Sequence, residues 1–426
     1  MFRSRTVKYV PSGAASLAAI LALTVAGPSA AGEWKGQVTD KDGVSTIANP
    51  AEPMEAPATI KLQENWRIGG DTDAENEFFG VISRITTDKS GNIYLLDSQL
   101  NEVKIFAPDG SYVNTIGREG EGPGEFRRPQ DMFFLPDGNL GVVQLAPGRI
   151  VMLTPDGEPA GDFPLAAVAA GDTRILVGGQ LMGDHIALVL QENKMQEGKI
   201  DIVRSLAVFD AKGSELKRLH SDTRTIDFAN AVMDEKAWST FDRRWATGMD
   251  GAMFAVTQFP DYEIRVWDKD GNPEHVITRA YTHLKRDQAE MDRIKGIFEA
   301  FTRQIPNSKV AVSDFDQDIQ TLYPRDDGTL WVLSAKGSRK RPQGSLGTFD
   351  VFNREGHFVR EVTLMGEGDP FQDGYFLVGD RMYVVTGFLD AAIAAQGGGA
   401  EDSEDAEAEP MAVICYQLGM LEAGME

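Results

Sequence analysis

The chain has 426 residues, of which 42% are hydrophobic and 25% charged, and its formal net charge is −23. An acidic surface of this kind repels nucleic acid and anionic lipid, so it argues against a nucleic-acid-binding protein. The preferred interpretation is that the acidity keeps the protein soluble, and a cationic ligand or partner is the alternative. The single cysteine, Cys415, excludes an intramolecular disulfide, and its apolar neighbours indicate a buried thiol in a strand.

Residues 1–31 have the composition of a secretory signal peptide. A basic start, an apolar run and a small-residue cleavage site follow one another at Arg3, Arg5 and Lys8, at Ala14–Ala26 and at Ser29-Ala30-Ala31. The apolar run is too short for a mature transmembrane helix, and no membrane span is expected elsewhere. We therefore expect cleavage after Ala31 and a periplasmic or secreted protein. Loss of three basic residues changes its net charge to −26.

The next segment, 32–57, is polar, contains several Pro and Ala residues and has no period, which predicts a linker of little structure. Ordered sheet is expected from residue 58 onward. The loop Asp71–Glu77 then alternates acidic residues, but it lacks the glycine and the spacing of an EF-hand. A plain acidic loop is the preferred interpretation, and a structural calcium ion is the alternative.

The stretch from Gly91 to Pro129 predicts antiparallel strands. Three short apolar runs are separated by a polar loop and by the turn Ala107–Gly110, in which Pro and Gly favour a tight reversal. The pattern repeats 47 residues later, where Gly138 matches Gly91 and Gly157 matches Gly110. A fixed period of this length indicates an array of propeller blades.

Three motifs in this stretch carry a resemblance to a known family. They are Gly91-Asn92-Ile93-Tyr94-Leu95-Leu96-Asp97, Asn101-Glu102-Val103-Lys104-Ile105-Phe106, and Gly120-Glu121-Gly122-Pro123-Gly124-Glu125-Phe126 with Pro129. The sequence resembles the NHL-repeat β-propellers of the secreted bacterial type over roughly Phe78 to Asp162. This resemblance implies a fold but no single activity, because the family includes binding modules, sensor domains and a few enzymes.

Turn signals along the chain predict the blades. They place six at 81–118, 126–166, 171–222, 241–281, 313–366 and 371–421. Because Ile68-Gly69 matches Ile116-Gly117, the first ordered strand is an outer strand, and residues 58–70 are expected to complete the last blade. The prediction is an all-β six-bladed propeller over 58–421, closed by an N-terminal strand and followed by a tail at 422–426.

Crossover 282–312 is predicted to contain the one helical insertion, since apolar residues recur at three- and four-residue steps until Pro306. Phe78 and Phe126 occupy the same place in two successive crossovers, at an offset of 48 residues, and are predicted to fill the gaps between neighbouring blades. Glu401–Glu409, after three glycines, has the composition of a disordered hairpin tip.

Long or irregular segments fall on one face of the predicted ring and the short Asp-Gly turns on the other. We expect ligand or protein binding on the loop-rich face. Alignment of the blades places ten side chains at the mouth of the central channel as candidate ligand-binding residues: Arg84, Asp97, Asp131, Gln144, Gln191, Arg243, Arg244, Thr257, Gln320 and Ser334. The resemblance implies that Asp97 and Asn101 brace loops, whereas the adjacent arginines need carboxylate partners or an anionic ligand.

Catalysis has little support in the sequence. The five histidines share no metal-ligand spacing, and a zinc-dependent lyase of the family would need histidines where the aligned positions hold Asp, Gln, Gln, Thr and Ser. No nucleophile elbow is present. The expected function is a binding module or scaffold without catalytic residues, metal ligands or a cofactor. The alternative is a metal-dependent lyase or hydrolase with its site at the channel mouth.

Overall fold

Six sheets, each built on four antiparallel strands and arranged as the blades of a propeller, form the body of the molecule. The structure, a computed structural model, describes residues 32–238, 244–302, 309–395 and 410–419. The all-β six-bladed propeller predicted from the turn spacing is confirmed. The predicted signal peptide at 1–31, the acidic stretch Glu401–Glu409 and the tail at 422–426 lie outside the described residues.

Blades 1 to 3 follow four N-terminal strands. These four are β1 (Gln37–Lys41), β2 (Val44–Asn49), β3 (Ala58–Lys61) and β4 (Gln63–Gly69). Blade 1 comprises β5 (Ile82–Thr87), β6 (Ile93–Asp97), β7 (Glu102–Phe106) and β8 (Tyr112–Ile116). Blade 2 comprises β9 (Pro129–Phe134), β10 (Leu140–Gln144), β11 (Arg149–Leu153) and β12 (Pro159–Asp162). Blade 3 has longer strands, β13 (Thr173–Met182), β14 (His185–Gln196), β15 (Lys199–Phe209) and β16 (Glu215–Asp227).

Blades 4 to 6 are separated by more elaborate crossovers. Strand β17 (Val232–Asp234) and helix α1 (Glu235–Trp238) precede blade 4, which comprises β18 (Trp245–Thr247), β19 (Met253–Ala255), β20 (Glu263–Trp267) and β21 (Pro273–Arg279). Helix α2 (Gln288–Thr302) and β22 (Lys309–Ala311), which pairs with β17, lead to blade 5. Blade 5 comprises β23 (Ile319–Pro324), β24 (Leu330–Ser334), α3 (Ala335–Arg339), β25 (Ser345–Phe352) and β26 (Phe358–Met365). Blade 6 comprises β27 (Gly374–Val378), β28 (Arg381–Val385), α4 (Phe388–Ala395) and β29 (Ala412–Gln417).

The ring closes between strands from the two ends of the propeller. Strand β4 pairs antiparallel with β29, from Gly69 opposite Ala412 to Gln63 opposite Gln417. The predicted closure by an N-terminal strand is therefore confirmed. The preceding strand β3 pairs in parallel with β26 of blade 5 instead, so the predicted closing segment 58–70 serves two blades.

Residues 37–49 differ from the linker expected over 32–57. Strands β1 and β2 form a hairpin, and β2 adds in parallel to β21, the outer strand of blade 4. The buried Asn49 side chain secures this addition, because its amide donates to the carbonyl oxygens of Thr278 and Gly356 and accepts from the Phe358 N–H. The partner strand lies about 230 residues away, so no local sequence pattern reveals the pairing.

Two phenylalanines fill the gaps between neighbouring blades. Phe126 is fully buried, and a Cβ on Gly117 would lie 2.5 Å from its ring. Phe79 takes the equivalent place beside Gly69, where a Cβ would lie 2.7 Å from the ring, whereas Phe78 is 64% exposed. The prediction for Phe126 is confirmed and the prediction for Phe78 is wrong, because the first crossover is one residue longer than an offset of 48 assumes.

The predicted helix in crossover 282–312 is confirmed as α2. Within the described residues the structure adds three shorter α-helices, α1, α3 and α4, all in connecting segments. None of the helices there is long and apolar enough to cross a membrane.

Alanine substitutions test the packing of the phenylalanines. We expect Phe126→Ala and Phe79→Ala each to lower the free energy of unfolding by roughly 3–5 kcal/mol, because each leaves a cavity between two blades. Phe78→Ala is the matched control and should cost less than about 1 kcal/mol. Denaturant unfolding of the three variants measures these differences, and equal losses at positions 78 and 79 would contradict the assignment.

Removal of residues 58–70 tests the closure. The truncated chain loses the outer strand of blade 6 and leaves β29 as an exposed edge, so the whole propeller should melt well below the full mature chain. Replacement of Thr39, Asp40 and Lys41 in the solvent-exposed β1 by alanine serves as the control and should change the melting temperature little. A truncation of 58–70 that melts within a degree or two of the full chain would show that closure does not depend on β4.

Candidate functional site

One end of the propeller carries nearly all of its irregular structure. In antiparallel four-stranded blades, the loops between second and third strands open on the same face as the crossovers between blades. Helices α1 and α2 lie in crossovers, and α3 and α4 lie between second and third strands. All four therefore lie on the loop-rich face, where the sequence predicts binding.

The inner strands that line the channel contain a repeated irregularity. In blades 1, 2, 3 and 5 the first strand has one extra residue, at Ser83, Gln130, Val177 and Gln320. Bulges of this kind re-aim the side chains that follow them. In blades 1 and 2 the residues that follow are Arg84 and Asp131, which form an ion pair with Arg84 Nε 3.2 Å from Asp131 Oδ1. Asp131 Oδ2 also accepts a hydrogen bond from the Gly179 N–H, so this carboxylate links three blades.

Three of the candidate side chains at the ends of second strands are buried, and each forms hydrogen bonds with neighbouring protein groups. Asp97 accepts hydrogen bonds from the backbone N–H groups of Gly80, Val81, Gln99 and Leu100, which is the bracing contact that the resemblance implies. Gln144 accepts from the Arg127 N–H and donates to the Pro147 carbonyl. Gln191 donates to Asn193 and accepts from Arg204. Asn101, the second predicted brace, accepts from the Arg128 N–H of the next blade.

The remaining candidates lie around blades 4 and 5. Ser334 is buried and accepts a hydrogen bond from the Gly337 N–H at the start of α3, and Thr257 is buried at the equivalent place in blade 4. Gln320 is half-buried in the bulge of β23. Arg244 is 1% exposed, and Arg243 lies outside the described residues. The structure thus brings Arg84 and Asp131 together and gives most of the other described candidates contacts that hold the blades in place.

The crossovers of blades 3 to 5 meet in a largely buried group of charged side chains that the sequence did not single out. This cap cluster consists of Glu235, Arg286, Glu290, Asp316 and Arg339. Both terminal nitrogens of Arg286 donate to Glu235 at 2.7 Å, and its Nε donates to Asp316 at 2.6 Å. Arg339 contacts both Asp316 and Glu290.

Electrostatics favour the charged forms of Arg286 and Glu290 in the cap cluster. Burial alone would lower the pKa of Arg286, but hydrogen bonds to Glu235 and Asp316 outweigh it and raise that pKa. Burial opposes ionisation of Glu290 too, yet Arg293 and Arg339 hold its pKa below the usual range. Each acidic group therefore faces a guanidinium, and removal of one partner would leave a buried charge uncompensated.

The cap cluster reaches one further crossover. The guanidinium groups of Arg293 and Arg339 lie 5.4 Å and 5.3 Å from the ring centre of Phe371, in the crossover between blades 5 and 6. Because these are cation–π distances, α2 and α3 are tied to that crossover as well. Segments from separate blades are thereby joined into one ordered platform on the loop-rich face.

Beside this platform, a histidine and an aspartate form a close pair. His283 Nδ1 lies 2.8 Å from Asp318 Oδ2, and its Nε2 lies 3.9 Å from Asp261 Oδ1. The Asp318 side chain is completely buried, whereas that of His283 is 41% exposed. Burial raises the pKa of Asp318 to about 6, against the opposing effect of His283. The arrangement is that of a buried carboxyl group that orients a half-exposed imidazole through its Nδ1, with Asp261 near its Nε2.

A weak signal for this pair is present in the sequence. Asp318 in blade 5 and Val81 in blade 1 occupy equivalent positions, because their carbonyls accept hydrogen bonds from the equivalent N–H groups of Ala335 and Ser98. Blade 5 thus has an acidic residue where blade 1 has a valine. His283 stands near the start of the predicted helix, and nothing local indicates that it meets Asp318. For the cap cluster no signal exists, because its members come from segments up to about 100 residues apart.

The described residues contain no group of three or more His, Cys, Asp or Glu side chains arranged to hold a metal ion. In the loop considered for calcium, Glu77 Oε2 accepts a hydrogen bond from the Gly69 N–H and so anchors the loop to β4.

Comparisons with known proteins agree with the fold. A sequence family described as a 6-bladed beta-propeller matches residues 71–151. None of the curated proteins matches the chain.

The solved structures that are similar to this chain include the following three. A candidate exported protein from Bacteroides fragilis is 12% identical with a TM-score of 0.46, and the match covers 85% of this chain and 99% of that one. Regucalcin, a calcium-binding protein from Agrobacterium tumefaciens, is 10% identical with a TM-score of 0.42 over 85% and 96% of the two chains. A gluconolactonase from Xanthomonas campestris is 12% identical with a TM-score of 0.42 over 84% and 99%. These similarities do not bear on activity.

The raised pKa of Asp318 predicts a pH-dependent contribution to stability. A carboxyl group whose pKa rises from 3.8 to about 6 on folding favours the folded state at low pH, and this contribution is lost as the pH rises through about 6. Asp318→Asn does not titrate. The stability of the wild type relative to this variant should therefore fall by up to roughly 3 kcal/mol between about pH 4 and pH 7.

Denaturant unfolding of both proteins across this pH range measures the difference. The same comparison in a His283→Gln background removes the imidazole beside Asp318, and the stability difference should keep its sign. A difference that stays constant or grows with pH would contradict the assignment.

Proposed function

We propose that the chain is an exported binding module or scaffold, periplasmic or secreted, that engages a ligand or partner protein through its loop-rich face. The observation that carries this proposal is the cap cluster, which joins crossovers from separate blades into an ordered platform. Removing five charged groups from water is costly, so the cap cluster adds little net stability. What the cluster provides is a fixed geometry on this face. Irregular segments fixed on a rigid scaffold are suited to recognition.

Export rests on the composition of residues 1–31, and a mature N-terminus at Gly32 in mass spectrometry of the purified protein would support it. The finer family assignment, an NHL-type propeller, rests on the motifs between Gly91 and Pro129. The net charge of −26 favours a cationic partner over an anionic one.

Charge reversal on either face tests which end of the propeller binds. One variant replaces Glu197, Asp292 and Asp314 by Lys on the loop-rich face, and the matched control replaces Asp156, Asp326 and Glu355 by Lys on the short turns of the opposite face. All six acidic residues are exposed, so both variants should fold, and the added positive charge should repel the cationic partner that the net charge favours. Each protein is used as bait in the envelope fraction of the native host. We expect the wild type and the control to retain the same partner and the loop-face variant to lose it.

Equal retention by all three proteins, or loss from the opposite-face control alone, would overturn the proposal. Melting temperatures of the variants, measured in parallel, separate loss of binding from loss of fold.

A second candidate, a lyase or hydrolase, is favoured by one observation, the pairing of buried Asp318 with half-exposed His283. A carboxylate that fixes the imidazole tautomer is a common arrangement for a general base. An activity screen with the wild type and His283→Gln, each before and after EDTA, distinguishes this candidate. Turnover that depends on His283 would favour an enzyme, and dependence on the chelator would favour a metal-dependent one.

A further inference from the structure

A recess on the loop-rich face lies between the crossover from blade 2 to blade 3 and the inner strands of blade 3. Its volume is about 250 Å³, and its lining includes Ala167–Ala169, Asp172, Arg174, Glu192 and Lys194. Pockets for drug-sized ligands span about 300–1,000 Å³, so this recess suits a smaller molecule. None of the sequence motifs singled out these residues.

The charges around the recess are balanced. Two are acidic and two basic, and the central pair is fixed, because Arg174 donates to the Ala166 carbonyl at 2.7 Å and to Glu192 at 3.3 Å. Asp172 and Lys194 have no ion-pair partner within the described part of the chain. One unpaired charge of each sign therefore lines the same small space.

The backbone of the crossover supplies further donors. Residues 166–171 form an irregular loop, and within the described ranges their N–H groups donate to no protein acceptor, while the Asp172 N–H closes the loop onto the Ala169 carbonyl. Free backbone N–H groups beside a lysine are suited to a carboxylate. The short side chains of Ala167 and Ala169 leave room for the ligand to approach the backbone.

We propose that this recess binds a free α-amino acid in its zwitterionic form. The ligand carboxylate pairs with Lys194 and the free N–H groups, the ammonium group with Asp172 and Glu192, and a small aliphatic side chain packs on the alanines. The overall charge also favours a zwitterion. A protein of net charge −26 repels a simple anion, whereas a zwitterion carries no net charge and still satisfies both halves of the recess. This inference rests on the proposed function, since it names a ligand for the loop-rich face.

Calorimetric titration of the mature protein with L-leucine tests the inference, with two analogues as matched controls. Leucinamide keeps the ammonium group and lacks the carboxylate, and 4-methylpentanoate keeps the carboxylate and lacks the ammonium group. Because each analogue leaves one charged half of the recess unpaired, each should bind at least tenfold more weakly than leucine. Equal binding of leucine and either analogue would overturn the assignment of a zwitterion.

Substitutions in the recess give a second readout. Lys194→Met and Asp172→Asn remove one charge each from side chains that are not buried, and each should weaken leucine binding at least tenfold without changing the melting temperature. Lys212→Met, on a short turn of the opposite face, is the control and should bind as the wild type does.

Unchanged binding by Lys194→Met would overturn the inference. Absence of heat with leucine up to about 10 mM would do the same. Either of these two results overturns the amino-acid site. The proposed function still stands if partner capture depends on the loop-rich face.

Discussion

The antiparallel pairing of β4 with β29 is the constraint on which the rest of the structure depends. A propeller blade packs on neighbours through both faces, so a missing strand in one blade uncovers an edge and loosens two interfaces. The N-terminal segment does more than complete blade 6. In passing along the outside of the ring it adds β2 to blade 4 and β3 to blade 5, and so links three consecutive blades from their outer edges. The platform of crossovers stands on the blades that this segment holds together.

Close packing between blades and the buried charges above them play different roles. The contacts of Phe79 and Phe126 against glycines that have positive φ occur at two successive blade interfaces, and they contribute stability through burial of apolar surface. The cap cluster occurs once, between crossovers that have no common pattern. Each of its three acidic groups contacts a guanidinium, and what the cluster supplies is a fixed arrangement of α2 and α3 on one face. The blade contacts thus hold the ring, and the charge contacts shape the surface of the loop-rich face.

Sequence reasoning succeeded where the determinants are local and repeated. Turns with glycine at fixed spacing gave the blade count, and the match of Ile68-Gly69 with Ile116-Gly117 gave the closure. The prediction was wrong by one residue at Phe78. A fixed offset of 48 residues between the two crossovers does not allow for the one extra residue in the first of them. Sequence reasoning failed for β2 and for the cap cluster for another reason, since the pairing of Asn49 with blade 4 and of Arg286 with Glu235 depends on which distant segments the ring brings together.

The pairing of β4 with β29 also dictates an order of events in folding. The two strands are separated by more than 340 residues, so the ring cannot close until nearly all of the propeller has been synthesised. Until then blade 6 lacks its outer strand, and such long-range pairing is slow because the loop it closes is large. An incompletely closed propeller of this kind has exposed sheet edges and is prone to aggregate. A chain that passes unfolded through a membrane before it folds would meet this requirement on the far side, with both closing strands already present.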